Sequence, residues 1–296
     1  MRANLIDGKA IAESLREEVK KSVDERVAKG LPAPGLATVI IGDNPASKVY
    51  VRMKHKACQE VGILSIGHEL PADTPQEEAE ALVKKLNDDP KVNGILVQLP
   101  LPAGLDEERV LNTISLQKDV DGFHPVNIGR LAQKGREPLF IPCTPAGVMY
   151  LLEQGGAELQ GANAVVLGRS NIVGMPVSLL LVSANATVTI CHSRTKDIPG
   201  LIRQADVLVA AVGIPEYVRG DWIKPGATVI DVGVNRIEDE TRKSGYRLVG
   251  DVNFDEAAEV AGAITPVPGG VGPMTIAMLL RNTLRAARLA DGNDVA

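Results

Sequence analysis

Aromatic residues are scarce in this sequence: one Trp, four Tyr and three Phe among 296 residues. So few rings are a poor basis for a stacking platform that binds single-stranded nucleic acid. No long basic block is present. The formal net charge is −5 and the pI about 5.5, which disfavours an electrostatic footprint for DNA or RNA. The three cysteines, Cys58, Cys143 and Cys191, lie far apart with no C-x-x-C pair. That excludes the usual zinc and disulfide patterns and fits a reducing compartment. The four histidines form no H-E-x-x-H pattern, and no G-x-S-x-G elbow occurs, so no metal site is expected and a serine hydrolase is disfavoured. The longest apolar runs, such as Val207–Ile214, are far too short to span a bilayer. Residues Met1–Asp7 lack the apolar core of a signal peptide. The expectation is a cytoplasmic protein that engages neither membrane nor nucleic acid.

What is present points to a globular α/β chain. Hydrophobic residues make up 45% and charged residues 23%, near the globular averages. The length allows one large domain or two ordinary ones. Residues 8–29 carry Ile11, Leu15, Val19, Val23 and Val27 at every fourth position, which predicts a helix ended by Gly30 and Pro32. A strand over 36–41, a helix over 46–61, a strand over 63–70, a helix over 74–87 and a strand over 94–98 follow. Thr74 with Glu77 three residues later reads as a capping box. The second half alternates strands at 164–167, 187–190, 207–211, 228–231 and 247–249 with helices at 173–184 and 198–204. Such alternation predicts parallel sheets covered by helices. The expected architecture is two α/β domains around a cleft. Residues 1–143 plus a final helix within 273–296 form one. Residues 144–272 form a doubly wound Rossmann-type domain.

The strand 164–167 runs into Gly168, Arg169 and Ser170, then Gly174 opens a helix. A glycine turn between strand and helix is a site for phosphate. The spacing departs from G-x-G-x-x-G, because Ser170 holds the third position, and an ordinary βα turn is the plain alternative. After the strand 187–190 an NAD site would carry an acid for the ribose hydroxyls. Here Ser193 and Arg194 come before the first carboxylate, Asp197. Hydroxyl and guanidinium groups favour the extra phosphate of NADP, with Arg169 as a further donor. A solvated basic turn is the alternative.

On the helix 46–61, Ser47, Tyr50 and Lys54 share one face by their spacing. A lysine in a low-dielectric cleft has a depressed pKa and can shuttle protons. The helix is also rich in cations, and from this helix alone a solvated face is the better explanation. Short-chain dehydrogenases carry Tyr-x-x-x-Lys too, but after their glycine loop rather than before it. Gln98 closes the strand 94–98, and Asp119 and Asp121 flank Val120 ahead of Gly122. No third acid lies near enough in sequence to complete a metal site.

Taken together, the segments resemble the bifunctional methylenetetrahydrofolate dehydrogenase/cyclohydrolase family. The matching stretches are Tyr50–Lys54, Gly94–Pro102, Lys118–Gly122, Pro142–Pro145, Gly168–Gly174, Gly233–Asn235, Gly250–Val252 and Thr265–Thr275, in the family's order and across nearly the whole chain. The resemblance implies two reactions at one cleft: oxidation of methylenetetrahydrofolate by NADP, then hydrolysis of the methenyl product to formyltetrahydrofolate. Hydride loss requires alignment of two ring systems. Hydrolysis requires one group that takes and returns a proton. By this resemblance Lys54 is that group, Gln98 orients it, Tyr50 packs on the folate, and Asp121 binds the donor edge of the pterin. Ser47 joins these, and Pro268, Gly269, Gly270 and Val271 form a tight loop against the folate. Gly168, Arg169, Ser170, Ser193, Arg194 and Val234 line the NADP site. An X–Pro bond such as Leu99–Pro100 is expected to be cis, and Cys143 to lie at the domain seam rather than act as a nucleophile. A homodimer is implied. The absence of a P-loop implies no formyltetrahydrofolate synthetase activity. The rival from the residues alone is an NADP dehydrogenase of the same plan acting on a shikimate- or amino-acid-type substrate.

Overall fold

The computed structural model describes residues 2–242 and 245–292, so the last four residues of the expected C-terminal segment lie outside it. The chain divides into two compact units. One holds the N-terminal residues through Ala12 and Thr144–Thr275; the other holds Glu13–Cys143 and the chain from Ile276. The sequence reading gives the first twelve residues to the other domain. The difference arises because β1 (Asn4–Leu5) is a short parallel strand at the edge of the second-half sheet. Two residues are too few to show a periodic pattern.

Helix α1 (Gly8–Ala28) leads to β2 (Gly35–Ile41), α2 (Pro45–Val61), β3 (Leu64–Leu70), α3 (Gln76–Asp88) and β4 (Gly94–Val97). The strands form a parallel sheet in the order β3-β2-β4. Every residue of β2 is buried, as expected for a central parallel strand covered on both faces. Ala37, Val39, Ile41, Ile95 and Val97 pack against Ala79, Val83 and Leu86 of α3. The expected capping box is not formed. Pro75 is the N-cap without a side-chain bond, and the Thr74 hydroxyl donates instead to the Pro71 carbonyl at 2.7 Å. Pro75 displaces the cap by one residue, and Thr74 serves the preceding turn. Short helices α4 (Glu107–Asn112) and α5 (Pro125–Leu131) follow, neither anticipated from periodicity.

Helix α6 (Cys143–Gln154) opens the next part of the chain. Then come β5 (Asn163–Leu167), α7 (Gly174–Ser183), β6 (Thr187–Cys191), α8 (Ile198–Ile202), β7 (Val207–Ala210) and β8 (Thr228–Asp231). The strands β9 (Asn235–Glu238) and β10 (Tyr246–Val249) precede α9 (Phe254–Ala258), β11 (Ala263–Ile264) and α10 (Val271–Ala290). The main sheet has six parallel strands in the order β1-β11-β8-β7-β5-β6. The segment near 247–249 is not one of them: β10 pairs antiparallel with β9 in a separate hairpin. Pro273 lies in the first turn of α10, which starts two residues earlier than the pattern indicates. In the unit of Glu13–Cys143, Arg26 at the end of α1 donates to the Pro32 carbonyl at 2.6 Å and pairs with Asp291 beyond α10. Among the described residues no helix is long and apolar enough to cross a membrane.

Candidate functional site

The sheet β3-β2-β4 delivers one group of candidates. The Gln98 backbone N–H still bonds the Val39 carbonyl of β2, at 2.8 Å, so its side chain emerges at the last rung of the sheet. Helix α2 begins just beyond the carboxyl end of β2 and carries Lys54 in its third turn. Lys54 is 8% exposed, and its Nζ donates to Gln98 Oε1 at 2.9 Å. The Gln98 amide nitrogen donates to the Leu99 carbonyl at 2.8 Å, which fixes which end of the amide faces the lysine. Leu99–Pro100 is cis, and so is Val267–Pro268.

Burial lowers the pKa of Lys54, while the charge of Asp121 works in the opposite direction. Burial likewise raises Asp121, against the pull of Lys54 and a hydrogen bond from Cys143. Each member of this pair is therefore shifted toward its neutral form. Cys143 is buried, its single S–H lies within reach of the Val120 carbonyl (3.3 Å) as well as of Asp121, and burial holds its thiol well above the ordinary value. A thiol so held stays protonated, which removes it as a nucleophile. Ser47 is buried on the same helix, whereas Tyr50 is 41% exposed.

The two acids flanking Val120 differ. Asp119 is buried and accepts from the N–H groups of Phe123 (3.2 Å) and His124 (2.8 Å) and from Asn127 Nδ2 (2.8 Å). Desolvation lifts its pKa to about 6 despite these donors. It shapes the turn that presents Asp121. Asn282 of α10, absent from the sequence expectations, donates to the carbonyls of Val120 (2.8 Å) and Ile141 (3.2 Å). It holds the segments carrying Asp121 and Cys143 together. An asparagine facing inward from an apolar helix is the signal that could have found it.

The other candidates belong to the unit with the six-stranded sheet. Strand β5 lies between β6 and β7, so the chain reverses direction across the sheet at β5. In doubly wound sheets this switch point opens a crevice at the carboxyl ends of the strands. Gly168 stands there with φ +123°, and a Cβ on it would lie 2.2 Å from the Ala211 carbonyl oxygen. A Cβ on Gly174 would meet the Gly168 oxygen at the same distance. Both positions thus require glycine. Ser170 Oγ accepts from the N–H groups of Val173 (3.2 Å) and Gly174 (3.4 Å) at the start of α7. Arg169 is exposed beside it.

After β6, Ser193 and Arg194 are exposed. Asp197, the first acid there, caps α8 by accepting from the Gly200 N–H at 3.1 Å. With that carboxylate turned to its own helix, hydroxyl and guanidinium groups remain at the strand end. This donor set suits a phosphate better than a ribose diol. Val234 is exposed just past β8. Pro268 is exposed, Gly270 and Val271 are buried, and Gly269 has φ +109°.

Both halves of the chain match known proteins. Residues 6–121 match the catalytic-domain model of tetrahydrofolate dehydrogenase/cyclohydrolase, and residues 142–291 match its NAD(P)-binding domain. The chain is 57% identical over 290 residues to bifunctional protein FolD 2 of Arabidopsis thaliana, covering 98% of this chain and 97% of that protein. It is 58% identical over 288 residues to bifunctional protein FolD 2 of Geobacter sulfurreducens, covering 97% and 98%. The crystal structure of the Trypanosoma brucei dehydrogenase-cyclohydrolase, complexed with NADP cofactor and inhibitor, superposes with a TM-score of 0.95. Its identity is 44%, with 98% of this chain and 99% of that one covered. The shikimate-type rival fares differently: shikimate 5-dehydrogenase from Thermus thermophilus shares the fold alone, at 18% identity and a TM-score of 0.52. Whole-length identity above half, with a buried lysine–glutamine pair in one unit and a glycine turn at the switch point in the other, places this chain in the tetrahydrofolate dehydrogenase/cyclohydrolase family.

Proposed function

We propose that this chain oxidises methylenetetrahydrofolate with NADP and hydrolyses the methenyl product to formyltetrahydrofolate. The observation that carries the reading is Lys54, buried, bonded to Gln98 and facing the charge of Asp121. NADP, when bound, supplies the hydride acceptor. Gly168, Arg169, Ser170, Ser193, Arg194 and Val234 hold it, and the close backbone approach at Gly168 and Gly174 fits a phosphate group. The oxidation leaves an amidinium cation shared by two nitrogens, so no residue need remove a proton.

Hydrolysis is different. Water must lose a proton as it attacks the methenyl carbon, and the departing ring nitrogen must gain one. A lysine shifted toward its neutral amine can accept the first proton and return it in the second step. Gln98 fixes the position of Nζ through its oxygen, leaving the amine lone pair free for water. Asp121 accepts from the pterin's donor edge. Ser47 and Tyr50 complete the folate contacts on α2. The enzyme works as a cytoplasmic homodimer and supplies one-carbon units of the kind used in purine biosynthesis.

A spectrophotometric assay with methylenetetrahydrofolate tests the reading. NADP reduction should occur, followed by loss of the methenyl absorbance, and NADP should be preferred to NAD by catalytic efficiency. No reduction and no hydrolysis product would end the proposal. Equal efficiency with both nucleotides would refute the roles of Ser193 and Arg194.

A further inference from the structure

Two buried carboxylates in the six-stranded unit take no part in the steps above. Asp231 ends β8, and Asp251 follows β10; both are buried. The Asp231 carboxylate accepts from the N–H groups of Gly233 (3.0 Å), Asp251 (2.9 Å) and Val252 (2.8 Å). The Asp251 carboxylate accepts from the N–H groups of Val212 (2.6 Å) and Gly213 (2.9 Å) and from Asn235 Nδ2 (2.8 Å). Three segments distant in sequence are joined in this way: 212–213 beyond β7, 233–235 beyond β8, and 250–252. The segments meet so closely that side chains are excluded. A Cβ on Gly233 would lie 2.2 Å from Asp251 Oδ1, and one on Gly250 would lie 1.8 Å from Asp231 Oδ2.

The place of this network in the fold gives it a task. A dinucleotide lies across the carboxyl ends of the strands and straddles the switch point. The turn after β5 and the residues after β6 serve its adenosine half. The segments after β7 and β8, on the other side of β5, therefore receive the nicotinamide half. Residues 212–213 and 232–234 belong to no helix or strand that would fix their shape. The two aspartates supply the fixed acceptors instead, and Val234, the candidate cofactor contact, sits between two tethered positions, Gly233 and Asn235.

We infer that Asp231 and Asp251 are positioning residues for the dehydrogenase reaction: together they hold the backbone beyond β7 and β8 in the shape that receives the nicotinamide half of the cofactor. The inference rests on the bifunctional reading, and the second reaction provides its control, because the proton shuttle Lys54 belongs to the other unit. Asp251→Ala removes all three tethers of one carboxylate. The Kd and KM for NADP should rise about tenfold or more, as expected for buried donors left without an acceptor. The kcat for oxidation should also fall. Hydrolysis of methenyltetrahydrofolate, assayed without nucleotide, should stay within about twofold of the parent.

Asp251→Asn should recover most of the loss. Its amide oxygen still accepts from Val212 and Gly213, and its NH₂ meets Asn235 once that side chain turns its own oxygen inward. Asn235→Ala removes one tether and should raise the KM for NADP by a smaller factor. The two milder variants decide the matter if Asp251→Ala does not fold. An unchanged NADP Kd in the folded variants would overturn the inference, as would oxidation and hydrolysis falling in equal proportion. If the parent chain itself neither binds NADP by titration nor reduces it, the bifunctional reading fails instead.

Discussion

At the scale of single residues, environment decides which of several similar groups is chemically available. Asp119 and Asp121 stand two positions apart, yet Asp119 is occupied by three donors, while Asp121 faces Lys54 and Cys143. Lys54 is set apart from the other cations of its helix by its burial and its bond to Gln98. Replacing it with Met should lower methenyl hydrolysis by about 100-fold or more, the range lost with a general acid–base group, while folate binding is largely retained. In the parent enzyme the hydrolysis rate should rise with pH through a group titrating below the ordinary lysine value. Undiminished hydrolysis in Lys54→Met would remove the residue from the reaction. A second expectation concerns Asp231, whose pKa is raised to about 7, chiefly by burial and in part by the charge of Asp251. The folded state then binds a proton more tightly than the unfolded chain. Its stabilising contribution is complete below about pH 4 and is lost as the pH rises through about 7. Thermal unfolding of the parent and of Asp231→Asn across that range should show the parent losing ground as pH rises; a constant difference between them would contradict the shift.

At the scale of elements, the turns beyond the strands carry the chemistry, and their glycines set the spacing. Gly122 has φ +81°, and a Cβ there would lie 2.5 Å from the Pro142 nitrogen. Gly122→Ala should therefore lower the unfolding free energy by about 2 kcal/mol or more, from backbone strain together with the clash. It should also reduce hydrolysis, since Asp121 is adjacent. Gly129 offers the comparison: it lies inside α5 with nothing within 4 Å of a built Cβ. Gly129→Ala should be neutral or stabilising by up to about 1 kcal/mol, as for Gly to Ala within a helix. Urea titration of both variants checks the pair, and equal destabilisation would show that the close approach at Gly122 is not what costs stability. The long amphipathic helix α1 was legible from its period, and the buried strands β2, β5 and β7 from their short apolar runs. The short elements β1, α4, α5 and β11 were not, because fewer than two periods fit within them.

At the scale of the whole molecule, the chain is assembled from segments that are discontinuous in sequence. Two of the three unit boundaries fall inside α1 and α10, after residues 12 and 275, where no composition shift marks them. A helix that continues through a boundary keeps its period, so pattern alone places the change at a neighbouring proline or loop. The proposed homodimer is tested by sedimentation equilibrium. The mass should be twice the 31.3 kDa of one chain at micromolar concentration, and a single-chain mass there would refute it.

The sequence by itself determined the α/β class, the glycine turn after β5, the absence of an NAD-type acid after β6 and the shared face of Ser47, Tyr50 and Lys54. Each is a local property of spacing and residue type. Only the tertiary structure decided that Lys54 is buried and held by Gln98, that Asp119 is structural while Asp121 is available, and that Asp231 and Asp251 join three distant segments. These depend on contacts between residues up to 44 positions apart, as between Lys54 and Gln98, and no local pattern carries such information. The scarcity of aromatic rings keeps its value at this point. With eight in the chain, an exposed Tyr50 one turn from Lys54 is a rare surface on which a flat substrate could rest.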